Sequence, residues 1–313
     1  IVLFLFLALP TAAFAQGVSF TTSVIDNNNS GDCKAVADLD GDRKADLILG
    51  GASLSWYESG AGFAKHVIRA QATEEFTTDM QAADIDGDGD IDIIVPDGGG
   101  TGNILWFENP RLNTPAGVSS DPRIGANWPA HTIGTHGEHV HDIEVADLDN
   151  DGKLDIVTSG HGFTHVWKQN SPTSWSDRNL SQLAGDGISL GDIDRDGFKD
   201  IATPRGWIHN PIGNLMNGDW VFHAIDNAIT GDECLLVDAD GDGRLDLITC
   251  DAHQSNETVL FRQPASSTDS AWPRSVIDPS MGSHHPEAAD SNGDGRPDIL
   301  MCLELRDLSV YIN

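Results

Sequence analysis

Apolar residues along this chain fall in short runs, and loops rich in Gly and Asp separate them, as at Leu47-Ile48-Leu49, Ile93-Ile94-Val95 and Ile156-Val157. No 3.6-residue period is sustained, so long helices are not expected, and brief apolar runs bounded by turn residues predict strands. Four strand-like segments recur around each run. A short segment such as Cys234-Leu235-Leu236-Val237 leads into a polar loop, and the apolar run follows it. A third segment ends in an aromatic turn: Trp56-Tyr57-Glu58, Trp106-Phe107-Glu108-Asn109, Trp167-Lys168-Gln169-Asn170, Trp207-Ile208-His209-Asn210 and Tyr311-Ile312-Asn313. A fourth opens on Phe63, Trp128, Trp220 or Trp272 and closes on Ile68, Ile133, Ile225 or Ile277. The unit returns about every 45 to 63 residues, the size of a propeller blade or solenoid repeat. Four antiparallel strands per unit point to the propeller. The expected fold is therefore all-β, a single β-propeller over residues 16–313, with six blades counted and a seventh allowed. An outer-strand run from Phe20 to Ile25 would complete the last blade and close the ring. Residues 110–127, rich in Pro, Gly and Ser, form an enlarged loop in the second connection.

The polar loops are six copies of one nine-residue frame. Acids stand at positions 1, 3, 5 and 9: Asp38, Asp40, Asp42 and Asp46; Asp84, Asp86, Asp88 and Asp92; Asp147, Asp149, Asp151 and Asp155. The frame continues at Asp192, Asp194, Asp196 and Asp200; at Asp238, Asp240, Asp242 and Asp246; and at Asp290, Asn292, Asp294 and Asp298. Alternate carboxylates on a tight turn converge on one centre, and a hard cation such as calcium takes six to eight oxygens. Position 7 would add a backbone carbonyl, and Gly at position 6 permits the sharp turn. Each loop joins two strands, so up to six Ca2+ ions are expected in structural roles. The first copy has Arg43 where the others carry Gly, and the sixth loses a charge at Asn292.

The formal charge of −31 is less extreme than it looks, because nearly half of the 49 acidic residues lie in these loops. The rest argues against nucleic acid and anionic membrane surfaces, whose binding needs Lys and Arg patches. An apolar start ending in Ala13-Phe14-Ala15 reads as a secretory signal over 1–15, cut before Gln16 and lacking its first residues. The run is too short for a stable membrane span. A secreted or periplasmic location follows from that reading. Four cysteines allow three pairings; Cys234 and Cys250, flanking one loop, are read either as a cross-hairpin disulfide or as buried thiols.

Chemistry is expected on the face opposite the acidic loops, where the chain enters each innermost strand. Six residues before each first aspartate stand Asp32, Thr78, His141, Asp186, Asp232 and His284; five before stand Cys33, Asp79, Asp142, Gly187, Glu233 and His285. Ordinary strand entries carry Gly, Ser and aliphatics, whereas this ring is nearly all carboxylate and imidazole. Of the twelve histidines, His66, His131 and His223 share one outer-strand position and read as structural, as does His209. The other eight, His136, His139, His141, His161, His165, His253, His284 and His285, map to loops of the entry face. Imidazole with carboxylate suits zinc, manganese or iron, so one such ion is expected beside the calcium. The candidate catalytic set is His139, His141, His161, His165, Asp186, Glu233, His284 and His285.

The Asp-x-Asp-x-Asp-Gly-x-x-Asp loop with its flanking Ala-Asp and Asp-Ile resembles the FG-GAP and VCBS repeats of integrin α-subunit propellers and secreted bacterial proteins. That resemblance implies a calcium-stabilised propeller and is neutral on activity, since the family spans adhesins and enzymes. Among enzymes, the Trp-Phe-Glu-Asn-Pro turn, the Trp-x-x-His-x-Ile strand and the His-bearing entry are similar to the propeller domain of aldos-2-ulose dehydratases. By that analogy His141 and His284 would hold a metal, His139 or His165 would abstract a proton, and Asp186 or Glu233 would assist the leaving group in a β-elimination. The chain has no Gly-x-Ser-x-Gly elbow, phosphate loop or His-Glu-x-x-His. The competing reading is a lectin-like or adhesion propeller that binds a glycan or a protein partner without catalysis.

Overall fold

A computed structural model describes residues 24–28, 33–51, 53–70, 76, 78–97, 102–113, 119–137, 139–160, 163–180, 186–225, 231–251, 257–280, 282, 286–302, 308–311 and 313. Every unit read from the sequence folds as its own antiparallel sheet. The first is β1 (Lys34–Ala37), β2 (Asp46–Leu49), β3 (Ser53–Glu58) and β4 (Ala64–Ala70); the second is β5 (Gln81–Ala83), β6 (Asp92–Pro96), β7 (Asn103–Phe107) and β8 (Ala130–Thr135). The third is β9 (Asp142–Ala146), β10 (Asp155–Gly160), β11 (Phe163–Ser171) and β12 (Ser174–Asn179); the fourth is β13 (Ser189–Gly191), β14 (Asp200–Thr203), β15 (Gly206–His209) and β16 (Val221–Ala224). The fifth is β17 (Glu233–Val237), β18 (Asp246–Cys250), β19 (Thr258–Phe261) and β20 (Arg274–Asp278). The sixth has three described strands, β21 (Glu287–Ala289), β22 (Asp298–Cys302) and β23 (Leu308–Tyr311). Innermost strands β1, β5, β9, β13, β17 and β21 neighbour one another in chain order, which is the arrangement of a β-propeller.

Burial explains the strand patterns. Second strands such as β6 and β10 are buried along their whole length, so they read as unbroken apolar runs, whereas the outer strand β4 alternates and is largely exposed. Each pair of blades consecutive in the sequence shares one apolar cluster. An indole from the later blade joins the cluster at the first four junctions: Trp128, Trp175, Trp220 and Trp272. His66, His131 and His223 stack on Trp56, Trp106 and Trp207 at 4.4–4.5 Å between ring centres. The first two also bond Glu58 and Glu108 at 3.0 and 2.9 Å. Their structural assignment holds.

A second tie between blades is polar. The residue ending each third segment, at the Asn or Gln of the aromatic turn, sends its side-chain amide to the carbonyl of loop position 2 in the blade before. Asn109 reaches Leu39, Gln169 reaches Ile85, Asn210 reaches Leu148, Gln263 reaches Ile193 and Asn313 reaches Ala239, all at 2.6–3.0 Å. The first blade carries Ser59 at this position and has no such amide.

Two expectations are refined. The pairing of β17 with β18 sets Cys234 opposite Thr249 and Cys250 opposite Glu233, so the two side chains leave opposite faces of the sheet. They enter different apolar clusters, and both are buried thiols, as is Cys33. The disulfide alternative therefore falls. Of the outer-strand run Phe20–Ile25, only Val24 and Ile25 lie among the described residues, and they are not in a strand. Asp26 nonetheless accepts the Tyr57 hydroxyl at 2.8 Å, as Asp278 accepts that of Tyr311 at 2.6 Å. Asp26 follows Val24-Ile25 and Asp278 follows Val276-Ile277, so the two aspartates occupy one repeat position. The signal reading over 1–15 lies outside the described residues.

Asn210 is fully buried and its amide also bonds Lys199 O at 2.9 Å. Asn210→Ala removes the amide donor from the buried Leu148 carbonyl and the part-buried Lys199 carbonyl, so unfolding stability should fall by about 1–3 kcal/mol, measured by denaturant titration.

Candidate functional site

Each acidic loop builds the same cradle. The position-1 carboxylate accepts the backbone N–H of position 6 in all six copies at 2.7–3.1 Å. Positions 4 and 6 both turn through left-handed backbone. Glycine does this freely, whereas Arg43 at φ 68° and Arg195 at φ 66° adopt it against Cβ crowding. Position 9 is the anchor. One oxygen of Asp46, Asp92, Asp155, Asp200, Asp246 and Asp298 takes the position-2 N–H of its own loop. The other takes an N–H from the end of the third segment, Ser59, Asn109, Gln169, Asn210, Gln263 or Asn313. Burial pushes Asp92 up to about 8, Asp200 to about 7 and Asp155 to about 6.

Oxygens from three acids come within 4.8 Å of one another in the first four loops, in sets such as Asp38, Asp40 and Asp42 or Asp84, Asp86 and Asp92. Buried oxygens of Asp88, Asp149 and Asp192 lack a hydrogen-bond partner. A divalent cation would supply what these oxygens lack, so the donors fit the ion the sequence implies. Side-chain cations gather on the same acids: Lys44 on Asp42 and Lys153 on Asp151 at 2.8 Å, Lys168 on Asp149, and Arg123 from the enlarged loop on Asp40 at 2.8 Å. In the sixth loop Asn292 donates to Asp294 at 3.0 Å.

At the opposite end of the blades the described entry acids Asp79, Asp142, Asp186, Asp232 and Glu233 lie near one another. Asp79 accepts the Ile143 N–H at 3.2 Å and Asp142 that of Ile188 at 2.7 Å, each bridging to the next blade. Burial, then the hydrogen-bonded Asp142, pushes Asp79 well above the usual carboxylate range. Glu233 is pushed well up by burial and by Asp142, Asp79, Asp186 and Asp232. A Cβ on Gly187 would stand 2.3 Å from Glu233 Oε2, so the missing side chain makes room for this carboxyl. Two residues inward, Glu144 is pushed up to about 8 by burial, Asp142 and Glu287, and burial also raises Glu287. Glu144 and Glu287 were not singled out from the sequence. Period-2 alternation from Asp142 was the available signal.

The histidines divide. His139 and His141 lie edge to face, 5.1 Å apart, on the segment entering β9. His165 is not in an entry loop. It sits within β11 opposite Thr158, whose other neighbour is Ile143, so two strand spacings (about 10 Å) part it from the entry strand. It stacks against Trp167, bonds Asn179 at 2.8 Å and packs 4.6 Å from His136. Burial lowers its pKa. His136 bonds Thr158 at 2.9 Å. These two are interior residues of the third blade and its junction. His161, His253, His284 and His285, with Asp32, lie outside the described residues.

A third feature was not legible in the sequence. A cavity of about 390 Å3 opens between the fifth and sixth blades, lined by Ile248, Leu260, Ile277, Ile299, Pro297 and Tyr311, with Arg262, Arg296, Asp240 and Asn313 among its polar groups. Its volume falls in the range of small-ligand sites.

Six blades with acidic hairpin loops define a repeat propeller. The chain belongs to the FG-GAP-like repeat family, which it matches over residues 38–95, 84–158, 147–203 and 238–301. Among solved structures it is similar to an Agrocybe aegerita lectin that recognises non-reducing terminal N-acetylglucosamine, at 20% identity and TM-score 0.51, over 85% of this chain and 73% of that one. It is also similar to BBS1N in complex with ARL6DN, at 13% identity and TM-score 0.53, over 86% and 74% of the two chains. A third likeness, to the V. cholerae biofilm matrix protein Bap1, has 18% identity and TM-score 0.49 and spans 86% of this chain and 43% of that protein. No curated protein matches the sequence.

The raised Glu144 has a consequence for pH dependence. Its folded form holds the proton more tightly than the unfolded chain, so the stability it contributes is present below about pH 4 and lost as pH rises towards 8. Glu144→Gln should leave stability unchanged at pH 4 and raise it by about 3–5 kcal/mol at pH 8–9, read from denaturation curves across that range.

Proposed function

We propose that this chain is a calcium-braced binding propeller that takes a carbohydrate ligand in the cleft between its fifth and sixth blades. The cleft carries the reading. It combines an apolar floor and the Tyr311 ring with two guanidinium groups, Arg262 and Arg296, in a chain of net charge −31. Aromatic faces pack against sugar rings, and guanidinium groups pair with carboxylates, so a sugar bearing an acidic group fits best. Likeness in fold to a lectin is consistent with this. Calcium at the six loops is structural in this reading, binding the hairpins that fix each blade. Export to a calcium-rich compartment follows from the leader read at residues 1–15. Among the described residues no helix is long and apolar enough to cross a membrane.

Catalysis is the second reading, and one observation favours it. Glu233 is raised well above its ordinary range, beside Asp142 and Asp186 on the face where His139 and His141 pair. A protonated carboxyl near imidazole supplies the acid and base of a β-elimination. Against it, Asp79 and Asp142 are engaged by backbone N–H groups of the next blade, and His165 is buried in its own blade.

Calorimetry should find close to six calcium ions per chain, with a Tm at least 10 °C lower in chelator. The calcium-loaded protein should bind uronate-containing oligosaccharides, and Arg296→Ala should weaken that binding at least tenfold. Ultraviolet absorbance growing with turnover, and abolished by His141→Ala, would instead establish the eliminase.

A further inference from the structure

One acidic loop differs from the rest in what faces it. The residue just before the last position of each third segment is Glu58, Glu108, Lys168, His209, Arg262 and Ile312 in chain order. In the third and fifth blades it is a fixed cation, with Lys168 on Asp149 and Asp151 and Arg262 Nε 3.8 Å from Asp240. In the fourth it is His209, whose Nε2 stands 3.2 Å from an oxygen of Asp194 and 3.4 Å from one of Asp196. Unlike ammonium or guanidinium, neutral imidazole has a lone pair and is a metal ligand.

The donors around it form two overlapping sets. Asp194, Asp200 and His209 offer ligand atoms within 4.8 Å of one another, and so do Asp192, Asp194 and Asp196. Asp192 adds an independent sign. Its counterparts Asp38, Asp84, Asp238 and Asp290 each place Oδ1 on the N–H groups of positions 4 and 5. In the fourth loop Asp192 Oδ1 is buried with no hydrogen-bond partner. A buried carboxylate oxygen without a donor costs free energy that a bound cation removes.

We infer that the fourth loop is a mixed nitrogen–oxygen site for a borderline transition-metal ion of the zinc or cobalt class, set among loops that suit calcium. Imidazole favours zinc and its neighbours, whereas calcium takes oxygen donors. Two donors each about 2.1 Å from a tetrahedral zinc stand about 3.4 Å apart, which matches the spacing of His209 from its two carboxylates. The inference rests on the reading that these loops hold cations, and it concerns which cation one of them prefers.

Cobalt titration of the calcium-saturated chain, followed by visible absorption, tests it. One equivalent of Co2+ should bind with ligand-field bands, and Zn2+ should displace it. His209→Glu installs the carboxylate that the first two blades carry here. It should abolish the bands and weaken cobalt binding at least tenfold while the calcium count does not fall. His209→Gln, with a Tm in calcium matching the native chain, should behave likewise and guards against a folding defect. No cobalt uptake in excess calcium would overturn the assignment and leave His209 an ion-pair partner, as Lys168 is. Bands that survive in both variants would also overturn it. Calcium binding is counted separately, so its failure would strike the calcium reading and not this one.

Discussion

Each blade is organised around a buried aspartate at loop position 9. Its two oxygens hold one N–H from the hairpin and one from the end of the third segment, at 2.8–3.2 Å throughout the six copies. A carboxylate placed there fixes the hairpin, the second strand and the end of the third strand relative to one another. It also leaves the acids at positions 1, 3 and 5 crowded over a small volume, a strain in charge that only cations relieve. The Lys and Arg side chains drawn onto these loops are the protein's own partial answer.

The repeat made most of the fold legible. Spacing of the acidic frame located every hairpin, and the aromatic turns located the third strands. The structural role of His66, His131 and His223 followed from their shared position, because one repeat position meets one environment. What escaped was set by strand parity and register. Cys234 and Cys250 are symmetric about their loop in sequence, yet a one-residue offset in pairing sends them to opposite faces. His165 follows Gly160-His161-Gly162 and reads as a loop residue in the sequence, whereas β11 already begins at Phe163. The cleft between the fifth and sixth blades has no signature in any single segment, since two blades make its walls.

The axial face shows how a functional pattern and a structural one can share residues. Asp79 and Asp142 stand where the sequence promised a ring of acids, and they serve first as acceptors that join one blade to the next. Glu144 and Glu233 add carboxyls that burial holds towards their neutral form. Neutral carboxyls can donate as well as accept hydrogen bonds, which lets so many acids occupy one narrow space without mutual expulsion.

The side-chain amides that end the third segments all point back, from a later blade to a carbonyl of the one before it, whereas Gln81 and Asn150 reach forward to Ile143 and Gly197 of the next blade. During synthesis each sheet can therefore gain its backward tie once its own third segment is made, while Asp79 and Asp142 wait for the N–H groups of the blade that follows. Every junction that carries a backward amide thus has its own latch, and loss of one leaves the other four in place.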